Sequence, residues 1–336
     1  MTAETTPQQK DTGLSAVFNA VVRETLQDFP ALNGRFILVD IEEGQLYGLP
    51  NLIATRFPSV DAVEAYLNEG AQAASAANTS VSRFDPAHDL RVIFYNSAAK
   101  QQTFGGDDVE NTLGIIDHEV GHLVADNEAE DTPDGVLRSE TRADLFAALR
   151  NIKRSGSAAG QNGKADAEAI KLLAFTRAYA LMADGGADAQ EHFTTPALLE
   201  LAETSNTTHL AGLKPQMAAG MAEFMGQQYA PKASEAAEIA AAFKPYRDTL
   251  AAGGTPEQAL KTVAEATLGK NTGDGTAKTG AFLLDYYLKG KISIHGQPLT
   301  LAGDYWDGVR EQLKARETAP AAFGLIILPK NTGLKL

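Results

Sequence analysis

The stretch His118-Glu119-Val120-Gly121-His122 constrains this chain more than any other feature, because its spacing has a chemical meaning on a helix. Residues four apart on an α-helix lie about 40° apart around its axis, so His118 and His122 project to one side. Two imidazole nitrogens placed in this way can hold one Zn²⁺. Glu119 lies one step around the helix, where its carboxylate can take a proton from an activated water. The stretch therefore predicts a metal-bearing helix.

The residues around this motif have the pattern of an amphipathic helix. Five apolar side chains fall in an arc roughly 100° wide: Leu113, Ile116, Val120, Leu123 and Val124. The two histidines, Glu119 and Asp126 fall on the opposite side. Asp107 and Glu110 form a capping box, so we expect the helix to begin near Asp108 and to end near Asp126. The alternative is an ordinary solvated helix that holds no metal.

A catalytic zinc site usually has three protein ligands, so one more ligand is needed. Glu140 is the favoured third ligand, on a second helix for which Ser139 is the expected N-cap. Asp144 lies one turn beyond Glu140 and can accept a hydrogen bond from the far nitrogen of a ligand histidine. Asp126 is a competing third ligand. Glu140 is preferred because a ligand from a separate helix approaches the metal from a different direction.

Taken together, these two motifs resemble those of the gluzincin metallopeptidases, and most closely the thermolysin-like branch. The resemblance implies that His118, His122 and Glu140 are zinc ligands and that Glu119 is the general base. It also implies that Asp144 orients a ligand histidine. The expected function is hydrolysis of peptide bonds, with a peptide or protein as substrate.

The resemblance extends upstream of the motif helix. Residues 92–98 resemble the family's edge strand, and residues 103–108 resemble the loop before its active helix. By this resemblance, Asn96 would bind the backbone of the substrate. The alternative for Asn96 is a turn-forming residue that closes an ordinary strand.

The family also uses a downstream histidine to stabilise the oxyanion, and here the candidates are His192, His209 and His295, with Tyr179 and Tyr229 as phenol alternatives. His209 is favoured, because its distance from the motif is similar to the family's and because a polar loop precedes it. The alternative for His209 is an exposed histidine near the start of a helix.

Composition excludes several classes of protein. The net charge of −14 argues against a nucleic-acid partner and against binding to anionic membranes. The chain has no cysteine, which rules out disulfides and thiol nucleophiles. Residues 1–14 are polar, and no later stretch is long and apolar enough to span a bilayer. We therefore expect a cytoplasmic protein, or an exported one if a signal peptide has been removed.

The predicted fold class is α+β. It comprises a disordered tail at residues 1–14, a zincin-like catalytic lobe at 15–150 and a mainly helical lobe at 151–336. In the catalytic lobe, periodicity predicts helices at 14–28 and 60–74 and strands at 35–41 and 90–95. Residues 154–164 read as a loop. Further helices are expected at 165–183, 196–204, 210–229, 232–251, 256–268 and 278–288 and from about 304, with a hairpin formed by 292–294 and 299–301.

Two questions stay open in the sequence. Residues 125–135 are rich in carboxylates, and a solvated acidic connection is favoured over a calcium site because the spacing does not match a calcium-binding loop. Besides the zinc peptidase, the alternative function is a non-catalytic helical binding or scaffold protein whose metal site is idle or structural.

Overall fold

The computed structural model describes residues 14–48, 55–99, 108–124, 131–159, 163–207, 210–290, 293–294 and 297–318. The fold is mixed α and β, mostly helical with a small four-stranded sheet, as the α+β prediction requires. Contacts group the chain into two compact units, one ending at Ala241 and the other beginning at Ala242, whereas the sequence placed its boundary at residue 150. Of the predicted disordered tail, residues 1–13 lie outside the described residues.

The sheet contains strands β1 (Phe36–Asp40), β2 (Gln45–Gly48), β3 (Val81–Asp85) and β4 (Leu90–Tyr95) in the order β2-β1-β4-β3. β1 and β4 are parallel, and the two outer pairs are antiparallel. The expectation that the strand ending at Tyr95 is an edge strand was wrong, because β4 lies between β1 and β3. The error arose because β3, with the sequence Val-Ser-Arg-Phe-Asp, lacks the apolar content that marks a strand.

Helices cover both faces of the sheet. Helix α1 (Leu14–Asp28), with the predicted bounds, sends Phe18 against the rings of Tyr47 and Tyr95 at 5.0 and 5.1 Å. Helix α2 (Val60–Ala77) covers the opposite face. There, alternate strand residues form a core with α2: Ile37, Val39, Leu90, Val92 and Phe94.

Helix α3 (Asp108–Val124) carries the two motif histidines and runs antiparallel to β4. The Nε of Arg91 donates to the carbonyl of Leu123 at 3.0 Å near one end of α3. The hydroxyls of Tyr95 and Thr112 lie 3.0 Å apart near the other end. The described part of α3 begins at the predicted residue 108, but the capping Asp107 and the expected end at Asp126 lie outside the described residues, so the predicted start and end stay predictions.

Helix α4 (Pro133–Ala159) carries Glu140 and Asp144. The prediction that Ser139 is its N-cap was wrong, because the helix begins six residues earlier. The Oγ1 of Thr132 accepts from the amide of Gly135 at 3.1 Å, and Pro133 takes the first helical position. The predicted loop at 154–164 was also wrong, because α4 continues to Ala159 and a further helix begins at Gly163.

Helices α3 and α4 approach each other closely at Gly121. A Cβ atom added at Gly121 would lie 2.8 Å from the Cα of Ala143, which is closer than real Cβ contacts. Glycine is therefore required at this crossing, and it brings the side chains of α3 and α4 within reach of each other.

Five more helices complete the first unit: α5 (Gly163–Ala183), α6 (Ala187–Glu191), α7 (Thr195–Thr207), α8 (Pro215–Tyr229) and α9 (Ala233–Ala242), which ends at the unit boundary. The helices predicted at 165–183 and 196–204 correspond to α5 and α7, and the helix predicted at 210–229 begins later, at Pro215. The single helix predicted at 232–251 was wrong, because α9 ends at Ala242 and a separate helix begins at Lys244, and the short α6 was not predicted. Helix α4 packs against α3, α8 and the α5 to α7 segment, so it is the central helix of this unit.

The second unit is built from α10 (Lys244–Ala251), α11 (Pro256–Leu268), α12 (Gly275–Leu288), α13 (Asp304–Thr318) and a hairpin of β5 (Ser293–Ile294) and β6 (Gln297–Pro298). Trp306 is fully buried, and its indole donates to Glu257 at 3.0 Å. The predicted hairpin is present, but its second strand precedes 299–301. Among the described helices of both units, none combines the length and apolar character needed to cross a membrane.

Candidate metal centre

Three side chains from α3 and α4 converge on one point. The Nε2 atoms of His118 and His122 lie 3.2 Å apart. The Oε2 of Glu140 lies 3.0 Å from the Nε2 of His118, and its Oε1 lies 3.4 Å from the Nε2 of His122. This group could hold a metal ion, since each residue offers a ligand atom and all of these atoms lie within 4.8 Å of one another.

The spacing of these atoms fits a zinc-sized ion. Ligands bonded at 2.0 to 2.2 Å in a tetrahedral site lie about 3.3 Å apart, which agrees with the three observed separations. In addition, the Oε2 of Glu140 is buried and has no hydrogen bond of acceptable geometry, although the imidazole of His118 approaches it. A buried carboxylate oxygen without a hydrogen bond is costly, and a bound cation would satisfy it.

In His118 and His122, the ring nitrogen that faces away from the cluster is held in place. The Nδ1 of His118 lies 2.8 Å from the Oδ1 of Asp144, which can only accept, so Nδ1 carries the proton. The Nδ1 of His122 lies 3.1 Å from the Oγ of Ser139. These contacts fix the rings and direct both Nε2 atoms to the common point. Ser139, which was predicted to lie at a helix terminus, therefore contacts His122, one of the candidate metal ligands.

The carboxylate of Asp144 is almost fully buried and makes further strong contacts. The Nε and Nη2 of Arg177 donate to its two oxygens at 2.7 Å each. The hydroxyl of Thr194 donates to Oδ2 at 2.6 Å. Arg177 and Thr194 could not be found from the sequence, because they follow Asp144 by 33 and 50 residues and belong to no local motif.

Burial and charge oppose each other at the centre. Burial disfavours the charged imidazolium of His118, but Asp144 and Glu140 outweigh it and raise the pKa of His118 to about 10. Burial likewise disfavours the carboxylates, yet the imidazoles of His118 and His122 hold the pKa of Glu140 well below its usual value. Arg177 and His118 do the same for the pKa of Asp144. The metal-free centre therefore holds a proton that a metal must displace.

Glu119 has a different environment from Glu140. It is only 7% exposed, and within the part of the chain that the structure describes it has no ion pair or hydrogen bond. Its oxygens are not among the buried oxygens that lack a hydrogen bond, so they are in contact with solvent. A carboxylate that is open to water and has no partner is available for proton transfer.

A third imidazole reaches the centre from α6. His192 follows the last residue of α6, and its Nδ1 donates to the carbonyl of Asp188 at 2.8 Å. Its Nε2 lies 3.3 Å from the Oε2 of Glu140. Of the downstream histidines considered above, His192 is brought to the centre. His209 and His295 lie outside the described residues, so the role of His209 stays a prediction.

The structure places Asn96 at the end of β4, where its side chain is used internally. Its Oδ1 accepts from the amides of Ala98 and Ala99 at 3.1 Å each. Its Nδ2 donates to the carbonyl of Ala74 at 3.4 Å, and the residue is 5% exposed. These bonds fit the turn-forming alternative. The proposed role in substrate binding stays a prediction that draws no support from them.

A second charged cluster joins α1, α3 and α4 and is called here the ion network; its members are Glu24, Asp28, Asp117, Arg150, Lys153 and Arg154. Arg154 bonds both oxygens of Asp117 and lies 2.8 Å from Glu24. Arg150 lies 3.1 Å from Asp117, and Lys153 lies 2.8 Å from Asp28. The network was not foreseen, although it begins one residue before His118.

Neither a protein-family model, nor a curated protein, nor a solved structure matches this chain. The function is therefore argued from the geometry of the centre.

Proposed function

We propose that this protein is a zinc-dependent metallopeptidase of the gluzincin type. The observation that carries the proposal is the convergence of His118, His122 and Glu140, at separations that suit a zinc-sized ion, beside a buried and unpaired Glu119. A structural zinc site is usually closed by four protein ligands, whereas three ligands leave a position for water or substrate. The α3 and α4 pair, packed on a small sheet, would form the core of a zincin-like lobe.

In this proposal each residue has a defined task. His118, His122 and Glu140 would hold the ion, and Asp144 and Ser139 would keep the imidazoles oriented. A bound zinc ion would supply Lewis acidity, lowering the pKa of a water and polarising the scissile carbonyl. The carboxylate of Glu119 would accept the proton of the attacking water and pass it to the nitrogen of the leaving amine.

The charge that develops on the carbonyl oxygen requires a donor. His192 is the first candidate for this donor, since its imidazole lies beside Glu140 and is held by the carbonyl of Asp188. Because Nδ1 of His192 already donates to that carbonyl, the ring can donate from Nε2 only as an imidazolium. His209 is the second candidate for this role, from the sequence alone.

Zinc analysis and a peptide-library digest, read by mass spectrometry, test the proposal. Wild-type protein should contain one zinc per chain and should cleave peptides. Glu119→Gln should keep zinc and fold and lose at least about 10³ in turnover, because only proton transfer is removed. Glu110→Gln, an exposed glutamate on the same helix, is the matched control and should retain turnover.

The other results each have a clear meaning. Near-full hydrolysis by Glu119→Gln would overturn the assigned mechanism. Stoichiometric zinc without hydrolysis of any peptide would indicate a structural metal site, and the absence of zinc from the wild type would favour the scaffold alternative. The kcat values of His192→Ala and His209→Ala distinguish the two candidate donors. The variant that lacks the donor should have a kcat lower by about 10² to 10³, as is typical for loss of one such donor.

A further inference from the structure

Asp144 touches two different parts of the centre. Its Oδ1 accepts from His118 on α3, and its Oδ2 accepts from the hydroxyl of Thr194, just before α7. Thr194 follows His192 by two residues. The same carboxylate therefore contacts a candidate metal ligand and the segment that carries the third imidazole.

The carboxylate has no freedom to reorient. Oδ1 receives His118 and the Nη2 of Arg177, while Oδ2 receives the Nε of Arg177 and Thr194. An ionised carboxylate offers about four acceptor positions, and four donors occupy them here. Rotation about the side chain would break several charge-assisted bonds in a buried place, so the four partners fix one another.

The segment between Thr194 and His192 is equally constrained. Phe193 is fully buried, and the amide of Thr194 donates to the carbonyl of His192 at 2.9 Å. The amide of His192 donates to the carbonyl of Asp188 at 3.1 Å. The carbonyl of Thr194 accepts from Leu198 at 3.2 Å inside α7. A shift of the Thr194 hydroxyl would therefore be transmitted to the imidazole of His192.

We propose that Thr194, together with Arg177, is a positioning residue that fastens the segment carrying His192 to the carboxylate that orients His118. The carboxylate of Asp144 thereby determines the orientation of His118 directly and the position of His192 through Thr194. This inference rests on the metal centre of the proposed function. It adds that α5 and the start of α7, which supply no metal ligand, determine how tightly the ion is held.

The test compares two neighbouring threonines. Thr194→Val removes the hydroxyl that reaches Asp144 and keeps the shape of the side chain. Thr195→Val is the matched control, because Thr195 is equally buried and its hydroxyl donates instead to the carbonyl of Ala174 at 3.0 Å. Competition with a chromophoric chelator gives the zinc Kd. Thr194→Val should raise it about tenfold, as loss of a bond that orients a ligand does, and Thr195→Val should leave it unchanged.

A double-mutant cycle tests the link between Thr194 and His192, using kcat of Thr194→Val, His192→Ala and the double variant. If Thr194 acts through His192, its effect on kcat should largely disappear in the His192→Ala background. Arg177→Lys provides a second variant, which keeps the charge but loses the two-pronged bond to Asp144, and it should also raise the zinc Kd.

The outcomes separate this inference from the function. Equal zinc Kd values for Thr194→Val and Thr195→Val, or strictly additive effects on kcat, would overturn the positioning role while leaving an active zinc enzyme intact. Absence of zinc from the wild-type protein would overturn the metal centre and, with it, this inference. If Thr194→Val fails to fold, the Kd of Arg177→Lys decides, and an unchanged value overturns the inference.

Discussion

The metal centre and the ion network both include side chains of α3 and α4 but differ in charge. In the ion network three carboxylates face three cationic side chains, so its charges cancel: Glu24, Asp28 and Asp117 against Arg150, Lys153 and Arg154. At the centre, Asp144 pairs with Arg177, whereas Glu119 and Glu140 have no arginine or lysine partner among the described residues. With neutral histidines the described centre is short of two positive charges, which is the charge of a divalent ion.

This difference shows how neighbouring residues acquire different tasks. Asp117 and His118 are adjacent, yet Asp117 is enclosed by arginines and His118 points to an incomplete cluster. A cluster that neutralises itself stabilises the fold, whereas a cluster with uncompensated charge is suited to a ligand. The following predictions test that contrast.

The largest effect is expected for the ligands. His118→Ala or His122→Ala should lose zinc together with at least about 10³ of hydrolytic activity, because two remaining donors hold the ion poorly. Zinc analysis and a peptide assay check this. Full zinc occupancy in both variants would place the metal elsewhere.

In the ion network, the expected effect is on folding alone. Asp117→Asn should lower the free energy of unfolding by about 3 kcal/mol, because two arginines are left facing an uncharged group. Urea denaturation measures the loss, and zinc content should stay at one per chain. Asp248→Asn, which removes an exposed partner of Lys244, is the control and should cost less than about 1 kcal/mol. A loss of zinc in Asp117→Asn would show that the two clusters are coupled.

Metal removal should affect only one of the two clusters. Zinc at a thousand times its Kd stabilises a protein that binds it only when folded by about 4 kcal/mol. Chelation should therefore lower the stability of wild type and of Asp117→Asn equally, and it should have no effect on His122→Ala. Thermal unfolding with and without chelator measures this. Unequal shifts in the unfolding temperature of wild type and Asp117→Asn would show that the two clusters are not independent.

The smallest change, taken per pH unit, is expected in the pH dependence of the metal-free protein. The pKa of His118 is raised from 6.5 to about 10, so its contribution to stability is complete below pH 6.5 and is lost as the pH rises, by at most about 1.4 kcal/mol per pH unit. Burial opposes ionisation of Glu24, but Arg150 and Arg154 lower its pKa, so its contribution is present above pH 4.5 and is lost in acid.

Urea denaturation at pH values from 3 to 9 would separate the loss of stability at high pH, called the alkaline limb, from the loss in acid, called the acid limb. His118→Gln should flatten the alkaline limb and should also reduce the part of the acid limb that comes from Glu140 and Asp144, because His118 lowers the pKa of both carboxylates. Glu24→Gln should reduce only the acid limb. An unchanged alkaline limb in His118→Gln would assign that dependence to another group.

Much of the site could be predicted because its chemistry is local. Periodicity gave the bounds of α1 and β4, and a single helical turn relates His118 to His122. Glu140 follows on the next helix, and the structure brings all three donors together.

The rest depends on contacts between distant residues. Ser139 has the composition of an N-cap, but Thr132 and Pro133 start the helix earlier and leave Ser139 to contact His122. The stretch from Arg154 to Lys164 has the composition of a loop, yet α4 continues to Ala159 and Arg154 itself pairs with Asp117. Such tertiary interactions override local propensity.

The bonds from Arg177 and Thr194 to Asp144 imply an order in which the centre is assembled. All three donors lie between residues 118 and 140, so they are synthesised before Arg177 and Thr194, which follow Asp144 by 33 and 50 residues. If the centre holds zinc, as proposed, a nascent chain can bind the ion before Arg177 and Thr194 are synthesised, since local contacts form before distant ones. Zinc supplied at the start of refolding should accelerate the recovery of structure more than zinc supplied late, and equal rates would show that capture waits for the complete unit.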